Sequence, residues 1–216
     1  MMMSPDDRYD VSGLTEVQFE PGSNGQVLKN LLGITSSAEM DIVEASALVK
    51  AMDSLVRMYD EAHRFTVSDV CKFHRLWLGD IYAWAGEYRQ ANVSKGDFMF
   101  AAAGRVPVLM LEFERDVLAR YTPCNFKGRD KVVCALAEAH VELVLIHPFR
   151  EGNGRAARVL STLMALQAGL PFLDFSAVAS KKKESYFAAV RAGLDRDYCP
   201  MEKIFAEVIE RSVAES

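Results

Sequence analysis

The sequence predicts an all-α protein, one helical core carrying a single short β-hairpin. Three observations carry that prediction. Apolar residues recur at three- and four-residue spacing through most of the 216 residues. Half of the residues are hydrophobic, enough for a packed core. The helical period fails once, between residues 86 and 100.

The elements follow in order. Residues 1–25 contain Pro5, Gly13, Pro21, Gly22 and Gly25 with little periodicity and read as an irregular arm. From Gln26 the pattern turns helical: Val27, Leu28, Leu31 and Leu32 make a short apolar stripe ending at Gly33. A longer helix is expected from a cap among Thr35, Ser36 and Ser37, with Met40, Val43, Ala47, Leu48, Ala51, Leu55 and Met58 on one face. Another is expected from Ser68, burying Val70, Phe73, His74, Trp77, Leu78 and Tyr82. Tyr88 to Val93 and Asp97 to Ala101 read as two strands around a turn at Ser94, Lys95 and Gly96. Helices resume over about 105–121, 130–146, 154–168, 182–194 and 200–213. Residues 26–216 are thus read as one domain, with its core at about 70–200 and the hairpin at about 88–101.

Charge and cysteine usage narrow the class. There are 25 basic and 30 acidic residues, a net charge of −5, which argues against a nucleic-acid surface. The only basic run is Lys181-Lys182-Lys183, which reads as a solvated face. Cys71, Cys124, Cys134 and Cys199 form no C-x-x-C pair and fit a reducing compartment. No apolar segment is long enough for a bilayer, and the first ten residues lack a signal core. The expectation is a cytoplasmic protein without a membrane, its delivery to another cell left open.

The chemistry concentrates in twelve residues, His147-Pro148-Phe149-Arg150-Glu151-Gly152-Asn153-Gly154-Arg155-Ala156-Ala157-Arg158. Pro148 disfavours helix at His147, so the imidazole is expected where a buried helix ends. Phe149, flanked by charge, reads as the anchor of the loop. Gly152, Asn153 and Gly154 allow a sharp turn and close approach of a ligand. The next helix begins there, and a helix N-terminus presents free N–H groups that suit an anion. Arg155 and Arg158 share a face near this end. Cations there oppose the helix dipole at a cost of about 0.3–1 kcal/mol each, which makes sense if an anion is to arrive. Glu151, the one acid among these cations, suits Mg²⁺ shared with phosphate oxygens. Taken singly, each of these is ordinary: a cap, a turn, a solvated face, a surface ion pair. Their density at one helix start is not.

The segment resembles the signature of the Fic family, H-x-F-x-[D/E]-G-N-G-R-x-x-R, at every specified position. Leu28 to Glu44 is similar to the opening of many bacterial Fic toxins, and Ile81 to Phe100 to the stretch leading into the family's hairpin "flap". The resemblance implies a Fic-fold helical core that transfers AMP from ATP to a Tyr, Thr or Ser hydroxyl of a target protein, releasing pyrophosphate. It implies His147 as general base, Glu151 as Mg²⁺ ligand and Phe149 as structural anchor. Gly152, Asn153 and Gly154 become the anion hole, with the Asn153 side chain touching phosphate, while Arg155 and Arg158 hold the outer phosphates. It further implies that Val93, Ser94, Lys95 and Gly96 dock an extended target segment. A branch of related kinases has lysine at the position of Gly154; Gly154, Arg155 and Arg158 here favour AMP transfer.

Family members are commonly inhibited by a helix carrying [S/T]-x-x-x-E-[G/N], whose glutamate pairs with the second arginine. Thr35 to Met40 offers Glu39 as a candidate, departing from the motif at Met40; Ser180 to Glu184 fits the spacing but follows the catalytic helix. The expectation is a small antitoxin that supplies the glutamate in trans, with a homo-oligomer left open. Two alternatives stand: other phosphoryl, nucleotidyl or AMP-removal chemistry on the same scaffold, and a catalytically silent ATP-binding regulator. His74 and His140 are expected to be structural, and Trp77, Tyr82 and Trp84 to be core. No residue for an adenine ring is identified.

Overall fold

A computed structural model describes residues 13–180 and 183–215. Its helices are α1 (Ser37–Met58), α2 (Val67–Leu78), α3 (Val106–Phe113), α4 (Ala119–Tyr121), α5 (Arg129–Ile146), α6 (Asn153–Gln167), α7 (Ser176–Ser180), α8 (Lys183–Ala192) and α9 (Cys199–Ala214). The hairpin is β1 (Ser94–Lys95) against β2 (Phe98–Met99), antiparallel, with Ser94 opposite Met99 and Lys95 opposite Phe98. Among the described residues no helix is long and apolar enough to cross a membrane.

Helix α5 is the central strut. Its Ala135, Leu136, Ala139 and Leu143 are fully buried, and α6 lies against it through Ala156, Ala157, Leu160 and Met164. Alanines on both helices let the two backbones come close, while the leucines fill the remaining space. α8 and α9 cover another side of α5, with Tyr186, Val190, Met201 and Phe205 buried. The turn segment at Gly193 fits because it has no side chain: a Cβ there would lie 2.2 Å from a Val141 methyl. A second apolar cluster joins α1 to α2 through Met40, Ala51, Trp77, Leu78, Tyr82 and Trp84.

Helix starts follow local chemistry. Ser36 caps α1, its Oγ accepting the Glu39 N–H at 3.4 Å. Thr66 and Asp69 form a reciprocal capping box at α2, so that helix begins at Val67, one residue before Ser68. The segment predicted as one helix over 105–121 runs through α3, a π turn at Glu114–Leu118, and α4. The short helix α7 has no counterpart in the sequence reading. Residues 1–12 of the expected arm, and Lys181 and Lys182 of the basic run, lie outside the described residues.

Two expectations are corrected. The stripe Val27, Leu28, Leu31 and Leu32 is not a helix. Leu28 forms an isolated bridge to Phe19, and Leu31 and Leu32 are 60% and 51% exposed. Asn30 is the reason: its Oδ1 accepts the N–H groups of Leu32 and Ile34, and its Nδ2 donates to the carbonyls of Leu28 and Ile34. Those bonds replace helical ones, and Gly33 at φ +67° completes the turn.

The hairpin is also shorter than predicted, and it turns at Gly96 and Asp97. Tyr88 to Val93 is not a strand. In this register a longer ladder would have used the Ala91 carbonyl; it instead accepts from the buried Arg89 side chain, which also takes the outward-facing Ala101 carbonyl. Asn92 Oδ1 takes the Ala103 N–H at 2.8 Å, closing the base of the hairpin.

Exposure separates the two classes of apolar residue. Leu136→Ala is expected to destabilise the protein by about 2–5 kcal/mol, while Ile42→Ser on the exposed face of α1 stays within about 0.5 kcal/mol. Urea unfolding with an unchanged m-value checks both.

Candidate active site

The loop between α5 and α6 is built by three anchors. Phe149 is fully buried and stacks face to face on His74 of α2, ring centroids 3.9 Å apart. His74 is held in turn: its Nδ1 accepts the Gly86 N–H at 2.8 Å, so Nε2 carries the proton and donates to the Glu151 carbonyl at 3.0 Å. Asn153 closes the loop on itself, Oδ1 accepting the Phe149 N–H and Nδ2 donating to the Phe149 carbonyl, both at 2.8 Å. Gly152 has φ +80°, and a Cβ there would meet the Trp77 ring at 2.7 Å, so both the turn and the packing require glycine.

His147 caps α5 in the left-handed conformation, φ 53° and ψ 59°. Its Nδ1 lies 3.1 Å from the Val144 carbonyl, so Nδ1 donates and Nε2 is left as the proton acceptor. The ring stacks on Phe100 at 3.6 Å, just beyond β2. Burial, then the positive charges of Arg89 and Lys95, hold the imidazole pKa down to about 4. The ring is therefore neutral at physiological pH.

A cavity of about 210 Å³ opens beside it, lined by His147, Gly154, Arg158, Lys95 and Arg191 together with aromatic and aliphatic side chains. A Cβ on Gly154 would meet nothing within 4 Å, so packing does not demand that glycine; its bare backbone fronts the cavity. Arg158 Nε is buried and, among the described residues, has no hydrogen-bond partner. Burial and the like charges of Lys183 and Arg158 lower the Lys95 pKa. Lys95, Arg158 and Arg191 thus give the cavity a positive lining, which suits an anion.

The aromatic side was not legible beforehand. Tyr186 and Phe187 of α8 face Phe98 and Phe100 of the hairpin across this cavity. The hairpin is latched onto α8 by Lys95 over the Phe187 ring at 4.2 Å and by Arg191 donating to Asp97 at 2.9 Å. Spacing could not reveal this, because about ninety residues separate the partners.

Glu151 is half exposed; its Oε1 accepts the Gly152 N–H at 2.9 Å and lies 3.2 Å from Arg155. Among the described residues no three His, Cys, Asp or Glu side chains cluster as a metal cage. A single carboxylate fits a Mg²⁺ whose other ligands are phosphate oxygens and water.

Three expectations for side chains need restating. The Asn153 side chain is 2% exposed and committed to Phe149, so it shapes the loop and does not present itself to a phosphate. Arg155 is held against α1: Nη1 pairs with the buried Glu44 at 2.5 Å, and the guanidinium lies 4.5 Å from the Trp77 ring centre. Glu44 also accepts the Tyr82 hydroxyl at 2.8 Å. Glu39 is exposed in the first turn of α1, its N–H taken by Ser36. The acid that reaches the motif from α1 is Glu44, one turn and a residue further on, and no motif marked it. His140 is structural, its ring joining Ser161 of α6 to Tyr186 of α8; His74 is buried but supports the loop directly. Trp77, Tyr82 and Trp84 are buried as expected.

A model of the Fic/DOC family matches residues 64–165. A curated relative, "Protein adenylyltransferase Fic" of Drosophila melanogaster, is 28% identical over 165 residues, covering 74% of this chain and 30% of its own length. The chain thus spans about three-tenths of that relative. The N-terminal Fic domain of Bep8 from Bartonella sp. 1-1C superposes with a TM-score of 0.71 at 23% identity, covering 85% of this chain and 90% of that one. Bartonella tribocorum BepC, solved with bound AMPPNP, gives 0.71 at 19% identity, covering 91% and 97%. Both structures share the overall fold.

Two buried imidazoles and the half-buried ring of His147 set an acid limit on stability. Burial lowers the pKa of His74 to about 4, of His140 to about 3 and of His147 to about 4. Unfolded, each takes up a proton below about 6.5. The unfolded state therefore binds more protons between pH 6.5 and 4, and the stability these rings contribute above 6.5 is lost as pH falls through that window. Thermal unfolding is expected to show a Tm that drops steadily from pH 7 to pH 4.5, and calorimetry in buffers of different ionisation enthalpy a net proton uptake on unfolding at pH 5.

Proposed function

We propose that the chain is a member of the Fic/DOC family, whose model matches residues 64–165, and that it is a protein adenylyltransferase, moving AMP from ATP to a hydroxyl of a target protein. One observation carries the reading: a neutral imidazole, the bare backbone at the start of α6 and the side chain of Arg158 line one cavity with aromatic walls. The 28% identical relative is named for this activity.

The chemistry follows from the parts. ATP phosphates lie along the N-terminus of α6, where Gly154 lets the backbone approach and Arg158 supplies charge. Arg155 contributes through its side facing Glu151, its other side being tied to Glu44. Glu151 would hold a Mg²⁺ that neutralises phosphate charge when bound. Adenine stacks among Tyr186, Phe187 and Phe98. The target presents its segment along the hairpin edge at Val93, Ser94, Lys95 and Gly96. Its hydroxyl oxygen attacks the α-phosphorus; the bond to the bridging oxygen breaks and pyrophosphate leaves with the electron pair. His147 Nε2 takes the hydroxyl proton.

Control by a small antitoxin belongs to the same proposal. A groove of about 330 Å³ is lined by Leu48 and Met52 of α1, Arg155 and Arg158 of α6, and Phe172. An amphipathic helix lying there brings an acid to Arg158.

With labelled ATP, Mg²⁺ and target, His147→Ala is expected to lower transfer by about 10²–10⁴-fold while ATP still binds; equal labelling by both proteins would defeat the reading. Arg158→Ala is expected to weaken ATP binding by about 10–100-fold. With the His147 pKa of the free chain lowered to about 4, the acid limb of kcat/KM lies well below pH 6. Glu39→Gly leaves the rate of the isolated chain unchanged, since that side chain is exposed; a large rise in labelling would show inhibition within the chain. The mass added to the target separates AMP transfer from phosphate transfer.

A further inference from the structure

Arg89 is 2% exposed and is among the largest fully buried side chains of the protein. Among the described residues its guanidinium pairs with no carboxylate; it donates only to backbone carbonyls. Nε reaches the His147 carbonyl at 2.7 Å, Nη1 the Ala91 carbonyl at 2.8 Å, and Nη2 the Ala101 carbonyl, with a longer contact to Ile146 at 3.5 Å. The Arg89 N–H adds a bond to the Pro148 carbonyl at 2.8 Å. One planar fork thus joins both feet of the hairpin to the residue that carries the imidazole.

Glu16 works on the same foot from the other side. Its Oε1 accepts the N–H groups of Gln90 and Ala91 at 2.9 and 2.7 Å. Its own carbonyl accepts from Arg150 Nε of the catalytic loop at 2.9 Å. The carboxylate is buried; burial lowers the Arg89 pKa, and the nearby Glu16 charge works against that shift.

A buried guanidinium is an expensive way to fill space, since apolar groups of similar volume commonly do so at no loss of stability. Its placement here is specific. Ile146 and His147 end α5, where carbonyls are unpaired and the helix dipole favours a cation. His147 must hold φ 53° to bring its carbonyl to Nε, and its ring rests on Phe100, the neighbour of Ala101. Both the backbone and the ring of His147 are therefore referred to atoms that Arg89 holds.

We propose that Arg89, with Glu16 as companion anchor, is a positioning residue that clamps the hairpin to His147 and so sets the imidazole and the target-docking edge in one frame. The kinetic part of this inference rests on the transferase reading; the structural part does not.

The test uses the full chain with Arg89→Gln, Arg89→Lys and Glu16→Gln. Melting curves establish folding, Lys-C cleavage after Lys95 reports release of the hairpin, and AMP transfer and ATP affinity are measured separately. Arg89→Gln is expected to speed that cleavage by about tenfold and to lower kcat by about 100-fold, with ATP affinity unchanged. Glu16→Gln moves both in the same direction by less. Arg89→Lys keeps the charge without the fork, and recovers the Tm but not kcat; recovery of both would overturn the positioning role. Folded variants with wild-type cleavage and kcat would overturn the clamp. If the wild-type chain transfers no AMP, the transferase reading fails alone: faster cleavage in the variants still supports the clamp, and unchanged cleavage overturns it.

Discussion

Phe149 stacked on His74 is the contact from which the site is built. It pins a six-residue loop between two buried helices, and the loop has little freedom left once that ring is placed. The Asn153 amide then closes the loop on the Phe149 backbone, and the His74 ring holds the Glu151 carbonyl. His147 at the end of α5 and Gly154 at the start of α6 face one cavity as a result. A ring that lies in the core fixes groups that must meet solvent and ligand. This is what preorganisation requires, because a group that had to be ordered during the reaction would oppose it with lost entropy.

Charge is distributed against folding convenience around that loop. Arg155 and Arg158 sit at the positive end of α6, which an isolated helix would disfavour. The protein compensates one of them: Arg155 is held by Glu44 and lies on Trp77. It leaves a buried Nε of the other without a partner. Among the described residues the two arginines of one motif therefore differ: Arg155 is tied into the architecture by an ion pair, while Arg158 lines the cavity without one. The acid that makes this division comes from α1, which places that helix within the site and not merely beside it.

The hairpin shows the same economy. Its ladder is two residues long on each side, far too short to be stable alone. It is held at its base by side chains, through Arg89, Glu16 and Asn92, and at its tip by Lys95 on Phe187 and Arg191 on Asp97. A side-chain bond to the Ala91 carbonyl stands where the next ladder bond would have been, and the strands end short of it.

Much of the helical layout was legible in the sequence, because 3.6-residue periodicity and caps are local signals; Ser36 and Pro148 each mark a boundary through their own backbone chemistry. The twelve-residue motif was legible too, since a helix end, a glycine turn and two arginines on one face are all set within four turns of chain. Where local signals misled, a side chain had intervened: Asn30 captured the amides of an expected helix, and Arg89 the Ala91 carbonyl of an expected strand. What only the tertiary structure decided were the long-range pairings. Glu44 with Arg155, Glu16 with the hairpin foot and Tyr186 across from Phe98 join residues about 75 to 110 apart. Such contacts leave no periodic trace, because they depend on how packed helices bring distant faces together, and a single sequence records the faces but not their meeting.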